Sequence, residues 1–222
     1  MKTLRHGLLI GAMLALGDAA FGQVAIVGYS FTGNTANATS VDANVTAGAI
    51  STSGAITISN GSPVSSGYSG STGSYYGSDN GWGSTGNYFQ FTLTPASNQS
   101  LTLTSVSFGY RASSTSGPVA FNLKSNLDGY SASIASGSLT NTDTLWHATG
   151  GTSITLSAIT SVTTIRLYAT GAANNTPTLR IDDLIISGSV TAIPEPSTYA
   201  AILGVVVLAG VVIRRRRLQC AA

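Results

Sequence analysis

The chain has 222 residues, with ten Lys and Arg against eight Asp and Glu, and only 8% of its residues are charged. Six of the ten cations lie at the two ends (Lys2, Arg5 and Arg214 to Arg217), which leaves the middle with six aspartates against Arg111, Lys124, Arg166 and Arg180. No clustered Lys/Arg surface remains for a duplex, so a nucleic-acid partner is excluded, and the lone cysteine, Cys220, leaves no disulfide to staple the body.

At the N-terminus, Lys2 and Arg5 precede an apolar run of eleven residues, Gly7 to Gly17. Ala20 and Gly22 are small at the positions before Gln23. This pattern predicts a signal peptide over 1–22, with cleavage after Ala20 as the rival site. Signal peptidase and the general secretion machinery follow as partners.

Residues 23–192 read as one domain of about 170 residues, large enough for a real core. Its apolar residues alternate with Ser, Thr and Asn, the period of half-buried strands. Val24 to Phe31 is a first strand with Val27, Tyr29 and Phe31 on one face. Thr32 to Ala49 reads as a loop, and Ile56 and Ile58 mark a short alternation. Tyr88 to Thr94 is the clearest strand, with Phe89, Phe91 and Leu93 inward and Pro95 at its end. Leu101 and Leu103 hold one parity and Val106, Phe108 and Tyr110 the other, which predicts a bulge near Thr104-Ser105.

Further strands are expected over Pro118 to Leu127, Ser131 to Leu139, Leu145-Trp146, Thr152 to Ala158 and Val162 to Ala169. In the last of these Arg166 and Tyr168 face away from Ile165 and Leu167. Asp128-Gly129 signals a turn. Leu179 and Ile181 change parity to Leu184 and Ile186, which predicts a second bulge at Asp182-Asp183. About nine to eleven short strands with Gly/Ser/Asn/Pro turns predict an all-β, antiparallel two-sheet sandwich with jelly-roll-like connections.

Three constellations suggest chemistry. Seven glycines between Gly67 and Gly86 surround Tyr75, Tyr76 and Trp82, an aromatic loop able to stack on sugar rings. Asp42, Asp182 and Asp183 are candidate oxygen ligands for a structural calcium, the only cofactor suggested. His147 with Asp143 or Asp128 is the sole acid–base pair on offer for a hydrolase, and no serine lies in a Gly-x-Ser-x-Gly context. A non-enzymatic body is therefore expected.

The last thirty residues are organised differently. Pro194, Glu195, Pro196, Ser197 and Thr198 precede fifteen uncharged residues, Tyr199 to Ile213, and then Arg214, Arg215, Arg216 and Arg217. The apolar run predicts a membrane helix over 199–213, with the arginines as a cytoplasmic basic tail over 214–217. The order of these three parts over 193–222 resembles a PEP-CTERM sorting signal, with the motif at 194–199 and Ile193 where Val is usual. The resemblance implies an exosortase as partner, with the Pro-Glu-Pro element as its recognition site and processing nearby. It implies a Gram-negative bacterium with exopolysaccharide, a single-pass membrane intermediate in the inner membrane, whether transient or retained, and a final place at the cell surface or in the extracellular matrix. More loosely, Tyr29-Ser30-Phe31, the Asn126 to Tyr130 turn and Arg180 to Ile186 resemble galactose-binding-like jelly rolls.

These signs point first to an exosortase-processed structural or adhesive surface protein associated with exopolysaccharide. The alternatives are a carbohydrate-binding module and, more remotely, a secreted hydrolase.

Overall fold

The computed structural model describes residues 24–53, 58–60, 68, 76–78, 81–82, 86–112 and 115–219. The expected signal peptide, Tyr75 and Cys220 lie outside the described residues. Fourteen strands, two short 3-10 turns and one α-helix are described. They are β1 (Val24–Tyr29), β2 (Ser40–Val41), β3 (Val45–Ala47), β4 (Ser51–Thr52), β5 (Ile58–Asn60), β6 (Tyr76–Ser78) and β7 (Tyr88–Pro95). After them come β8 (Gln99–Ala112), β9 (Ala120–Ser125), β10 (Ala135–Ser138), β11 (His147–Ala148), β12 (Thr152–Ser153), β13 (Thr163–Thr170), β14 (Leu179–Ala192) and helix α1 (Pro196–Gln219).

All pairings are antiparallel. The first sheet runs β11-β8-β14-β1-β2, with β12 on β8 and β5-β6 extending from β14; the second runs β10-β9-β13-β7-β3, with β4 on β7. The expected sandwich is what the chain forms. Inward residues alternate with half-buried ones along β7, β9 and β13 without a break. Aromatic rings tie the two layers: Phe108 of β8 meets Phe121 of β9 at 5.0 Å, and Tyr29 of β1 meets Phe91 of β7 at 5.5 Å. The Tyr29 hydroxyl donates to the Gly48 carbonyl at 2.7 Å, which satisfies the one polar atom of that buried ring.

Both parity changes resolve as bulges. Along β8 and β14, Asp182 pairs with Gly109 but Ile185 with Ser107, so Asp183 and Leu184 together oppose Phe108. Asp183 takes φ 46° to make the step. The second irregularity sets Ser187 against Ser105 and Gly188 against Leu103, which leaves Thr104 as the extra residue. Each bulge turns the following side chains back into the core, the outcome hydrophobic burial requires.

Trp82 belongs to that core. It is 2% exposed and packs on Phe89 at 5.1 Å. A ring enclosed in this way presents no face to a sugar, which corrects its expected role in an aromatic platform. Of its loop partners, Tyr76 lies in β6, paired through Ile181, and only its backbone is described.

The C-terminal segment is also corrected. A single helix runs from Pro196, favoured at a first helical position, through all four arginines to Gln219, so the arginines extend the helix rather than trail it. Among the described residues no helix is long and apolar enough to cross a membrane. The fifteen uncharged residues span about 22 Å, against about 30 Å of hydrocarbon, and four consecutive cations follow. The expected transmembrane helix and single-pass intermediate are therefore overturned.

The core assignment of Trp82 has a measurable consequence. Trp82→Ala is expected to cost about 3–5 kcal/mol in denaturant unfolding, well beyond the loss seen for an exposed aromatic.

Candidate functional site

The outward face of the second sheet carries a contiguous aromatic and cationic group. It arises from strand alternation alone: with Phe89, Leu123, Ile165 and Leu167 turned inward, Tyr88, Gln90, Asn122, Lys124, Arg166 and Tyr168 must turn outward. Register then aligns them in two rows across three strands. One row is Asn122–Tyr168–Tyr88 and the next is Lys124–Arg166–Gln90.

Arg166 is the centre. Its guanidinium carbon lies 4.0 Å from the centroid of Tyr88 and 3.8 Å from that of Tyr130, so it is held between two rings. Its Nε donates to Gln90 Oε1 at 3.2 Å. Tyr168 meets Tyr88 edge-on at 5.3 Å, and the Lys124 ammonium stands 5.7 Å from the Tyr168 ring.

Tyr130 reaches Arg166 from the turn after β9. Its φ of 63° is a left-handed value that a bulky residue rarely adopts. The turn enforces it: Gly129 is also left-handed, Tyr130 N–H donates to the Ser125 carbonyl at 2.9 Å, and the Asp128 carboxylate accepts the Ala132 N–H at 2.8 Å. The Asp128 carboxyl is held below its ordinary value by the Ala132 amide, then by the hydroxyl and amide of Ser131 and the Tyr130 amide, with desolvation opposing. Sequence reading placed Arg166 and Tyr168 on one face and saw the Asp128-Gly129 turn. It did not join them to Tyr88, Lys124 and Tyr130, because cross-strand register is not a local property.

The outward face of the first sheet holds a groove of about 600 Å³ lined by Tyr68, Ser107, Gly109, Asp183 and Ile185, among others. Asp183 and Ile185 also line a smaller groove beside Gly28, Ser30 and Ser40. The Tyr68 ring lies on Gly109, where a Cβ would collide with it. Beneath them Asp182 is fully buried, its carboxylate accepting the N–H groups of Tyr68 at 3.0 Å and Asp183 at 2.8 Å. Burial, and then the adjacent Asp182 charge, push the Asp183 carboxyl above its ordinary value.

The three candidate calcium ligands are not brought together. Asp42 caps its own turn by accepting the Asn44 N–H at 2.8 Å, and it lines a different groove, beside Val24 and Gly188. No group of three or more His, Cys, Asp or Glu suited to a metal occurs among the described residues. The His147–Asp143 pair does form, at 2.7 Å, with the Tyr110 ring stacked on the imidazole. The His147 hydrogen bond, then the Leu145 amide, hold Asp143 low. Among the described residues no hydroxyl, the group a triad would need as nucleophile, bonds to His147.

The sorting element sits directly against the body. β14 pairs to its last residue, Ala192, with Gln99, and the Ile193 N–H donates to the Asn98 carbonyl at 2.8 Å. Glu195 then accepts from the Asn98 amide and from the Ser197 hydroxyl, each at 3.3 Å. Ile193 and Glu195 thus hold the start of the motif (Pro194, Glu195) at the β7–β8 turn, Pro196, Ser197 and Thr198 open the helix, and Arg214 to Arg217 lie near its far end. Residues 192–217 match the model of the PEP-CTERM protein-sorting motif. A PEP-CTERM motif is present.

No curated protein matches the chain. Among solved structures, the chain is similar to the CBM22-1 xylan-binding domain of Paenibacillus barcinonensis Xyn10C, at 14% identity over 77% of this chain and 97% of that one, with a TM-score of 0.49. A family 11 carbohydrate-binding module of the Clostridium thermocellum cellulase Lic26A-Cel5E is similar at 16% identity, 77% and 97% coverage and a TM-score of 0.38. The C-terminal family 22 module of Clostridium thermocellum Xyn10B is similar at 17% identity, 74% and 94% coverage and a TM-score of 0.39.

Because the fold raises the Asp183 pKa, its protonated form is favoured by folding, and that contribution is lost as pH rises through the folded value. Asp183→Asn, which tolerates the left-handed backbone, is expected to raise the melting midpoint at pH 7. The gain should close below about pH 4, as followed by thermal melts across pH.

Proposed function

We propose that this is an exported, exosortase-sorted, non-catalytic carbohydrate-binding module, with the Tyr88–Arg166–Tyr168–Tyr130 face as its ligand site. The observation that carries the proposal is the guanidinium held between two tyrosine rings on an otherwise polar sheet face. Tyrosine rings offer apolar area for the C–H faces of a pyranose. Arg166, Gln90 and Asn122 supply planar donors and acceptors for its hydroxyls. Side chains fixed by strands lose little freedom on binding, which favours affinity. The three-strand width, about 10 Å between outer strands, suits a polymer lying across the strands.

This reading replaces a purely structural or adhesive role with recognition. The PEP-CTERM motif supports an exosortase as partner. Export through signal peptidase and the general secretion machinery, a destination at the surface or in the matrix, and exopolysaccharide as the material bound belong to the same proposal. A hydrolase receives no support from the His147–Asp143 pair, to which no hydroxyl bonds among the described residues.

Tyr168→Ala is expected to weaken retention in a polysaccharide-loaded native gel at least tenfold, about 1.4 kcal/mol, while the protein still unfolds cooperatively. Unchanged retention would remove the face from consideration. Sorting has its own test by intact mass from the native host. With exosortase the chain should end near Pro194–Pro196; without it, residues through Arg217 should remain. The same C-terminus in both strains would sink the sorting half of the proposal.

A further inference from the structure

The charge on this face singles out a class of ligand. Lys124 stands directly opposite Arg166 in the antiparallel register of β9 and β13. Directly opposed residues bring their Cβ atoms to about 5 Å, and like charges placed so are destabilising. A sandwich surface this poor in charge had neutral residues available for either position. Two cations were placed together instead.

Among the described residues no carboxylate makes an ion pair with either cation. The single ion pair among the described residues is His147–Asp143, elsewhere on the molecule. Asp128 is the acid nearest in sequence, but it makes no ion pair with Lys124, and its oxygens accept from Ser131 and Ala132. Asp128 is joined to Lys124 only through Ser131, whose carbonyl accepts from Lys124 while its N–H and hydroxyl donate to Asp128; the other described neighbours of the pair are Gln90, Asn122 and three tyrosines. The Lys124 ammonium makes one long hydrogen bond, 3.4 Å, to the Ser131 carbonyl. Arg166 commits its Nε to Gln90, and its terminal nitrogens have no hydrogen-bond partner among the described residues. The two rings hold the guanidinium plane fixed, the arrangement that lets its fork meet a carboxylate through two parallel hydrogen bonds.

Resting on the carbohydrate-binding reading, we infer that the ligand is an acidic polysaccharide whose uronate carboxylates bind between Lys124 and Arg166. A neutral glycan would use the tyrosines and amides of this face and have no use for Lys124. A carboxylate in this position relieves the repulsion between two opposed cations while it binds, so ligand charge and protein charge favour the same complex.

The full-length chain, titrated calorimetrically with polygalacturonate, with the same polymer fully methyl-esterified, and with dextran sulfate, tests this. Polygalacturonate should bind at least tenfold tighter than the ester and weaken as salt is raised. Lys124→Gln should lower binding to polygalacturonate toward that of the ester and flatten its dependence on salt. The same variant should melt no lower than the parent, since it removes a repulsion. Equal affinity for the acid and its ester would overturn the inference and leave the carbohydrate-binding reading standing. Binding to neither polymer would remove both. Tighter binding to dextran sulfate than to polygalacturonate would overturn the carboxylate assignment.

Discussion

Everything on the outer face depends on the inward side chains of β13. Ile165 and Leu167 are buried against the first sheet, each contributing about 1.5–3 kcal/mol, and that burial sets the parity of the strand. A slip of one residue would bring Arg166 and Tyr168 into the core and turn the aliphatic pair outward. The cost forbids it. The position of the guanidinium is thus decided from behind, by hydrophobic packing that never touches a ligand. Neighbouring β7 and β9 are held the same way, by Phe89 and Phe91 on one side and Phe121 and Leu123 on the other.

The face also departs from the stability optimum in two places. Tyr130 occupies a left-handed backbone that its Cβ disfavours, and Lys124 opposes Arg166. Strain of this kind persists only where surrounding structure enforces it. Here the Asp128 cap, the Gly129 turn and the β9–β13 ladder do so. The first sheet departs once, at Asp183, where a carboxylate occupies a left-handed bulge beside a second carboxylate. The two outer surfaces are therefore unlike: one is cationic and aromatic, the other a glycine- and serine-floored groove bordered by Asp183.

How much of this was legible follows from the range over which each feature is encoded. Both bulges were readable because a change of apolar parity within one strand is a local signal, as at Leu103 to Val106 and Ile181 to Leu184. The sandwich was readable for the same reason, and the sorting motif because its three parts are contiguous. Short edge pieces such as β2, β3 and β11 carry no alternation and are fixed only by their partners. The tyrosine–arginine cluster draws on β7, β9, the following turn and β13, which span eighty-one residues from Tyr88 to Tyr168. Nothing between those positions announces the register. Trp82 misled because a glycine-rich context reads as exposed, whereas its ring is buried against Phe89. The apolar C-terminal run misled because absence of charge is not sufficient length.

The absence of slack between β14 and the sorting motif has a mechanical meaning. Ala192 is still in the ladder, and one residue later the chain is hydrogen-bonded to the β7–β8 turn. Anything fastened at 194–196 would grip the sandwich without a hinge. From that turn back along β7 to Gln90 is six residues, about 20 Å at strand rise. The tyrosine–arginine face thus stands at a set height above the sorting motif, as a head on a short rigid post.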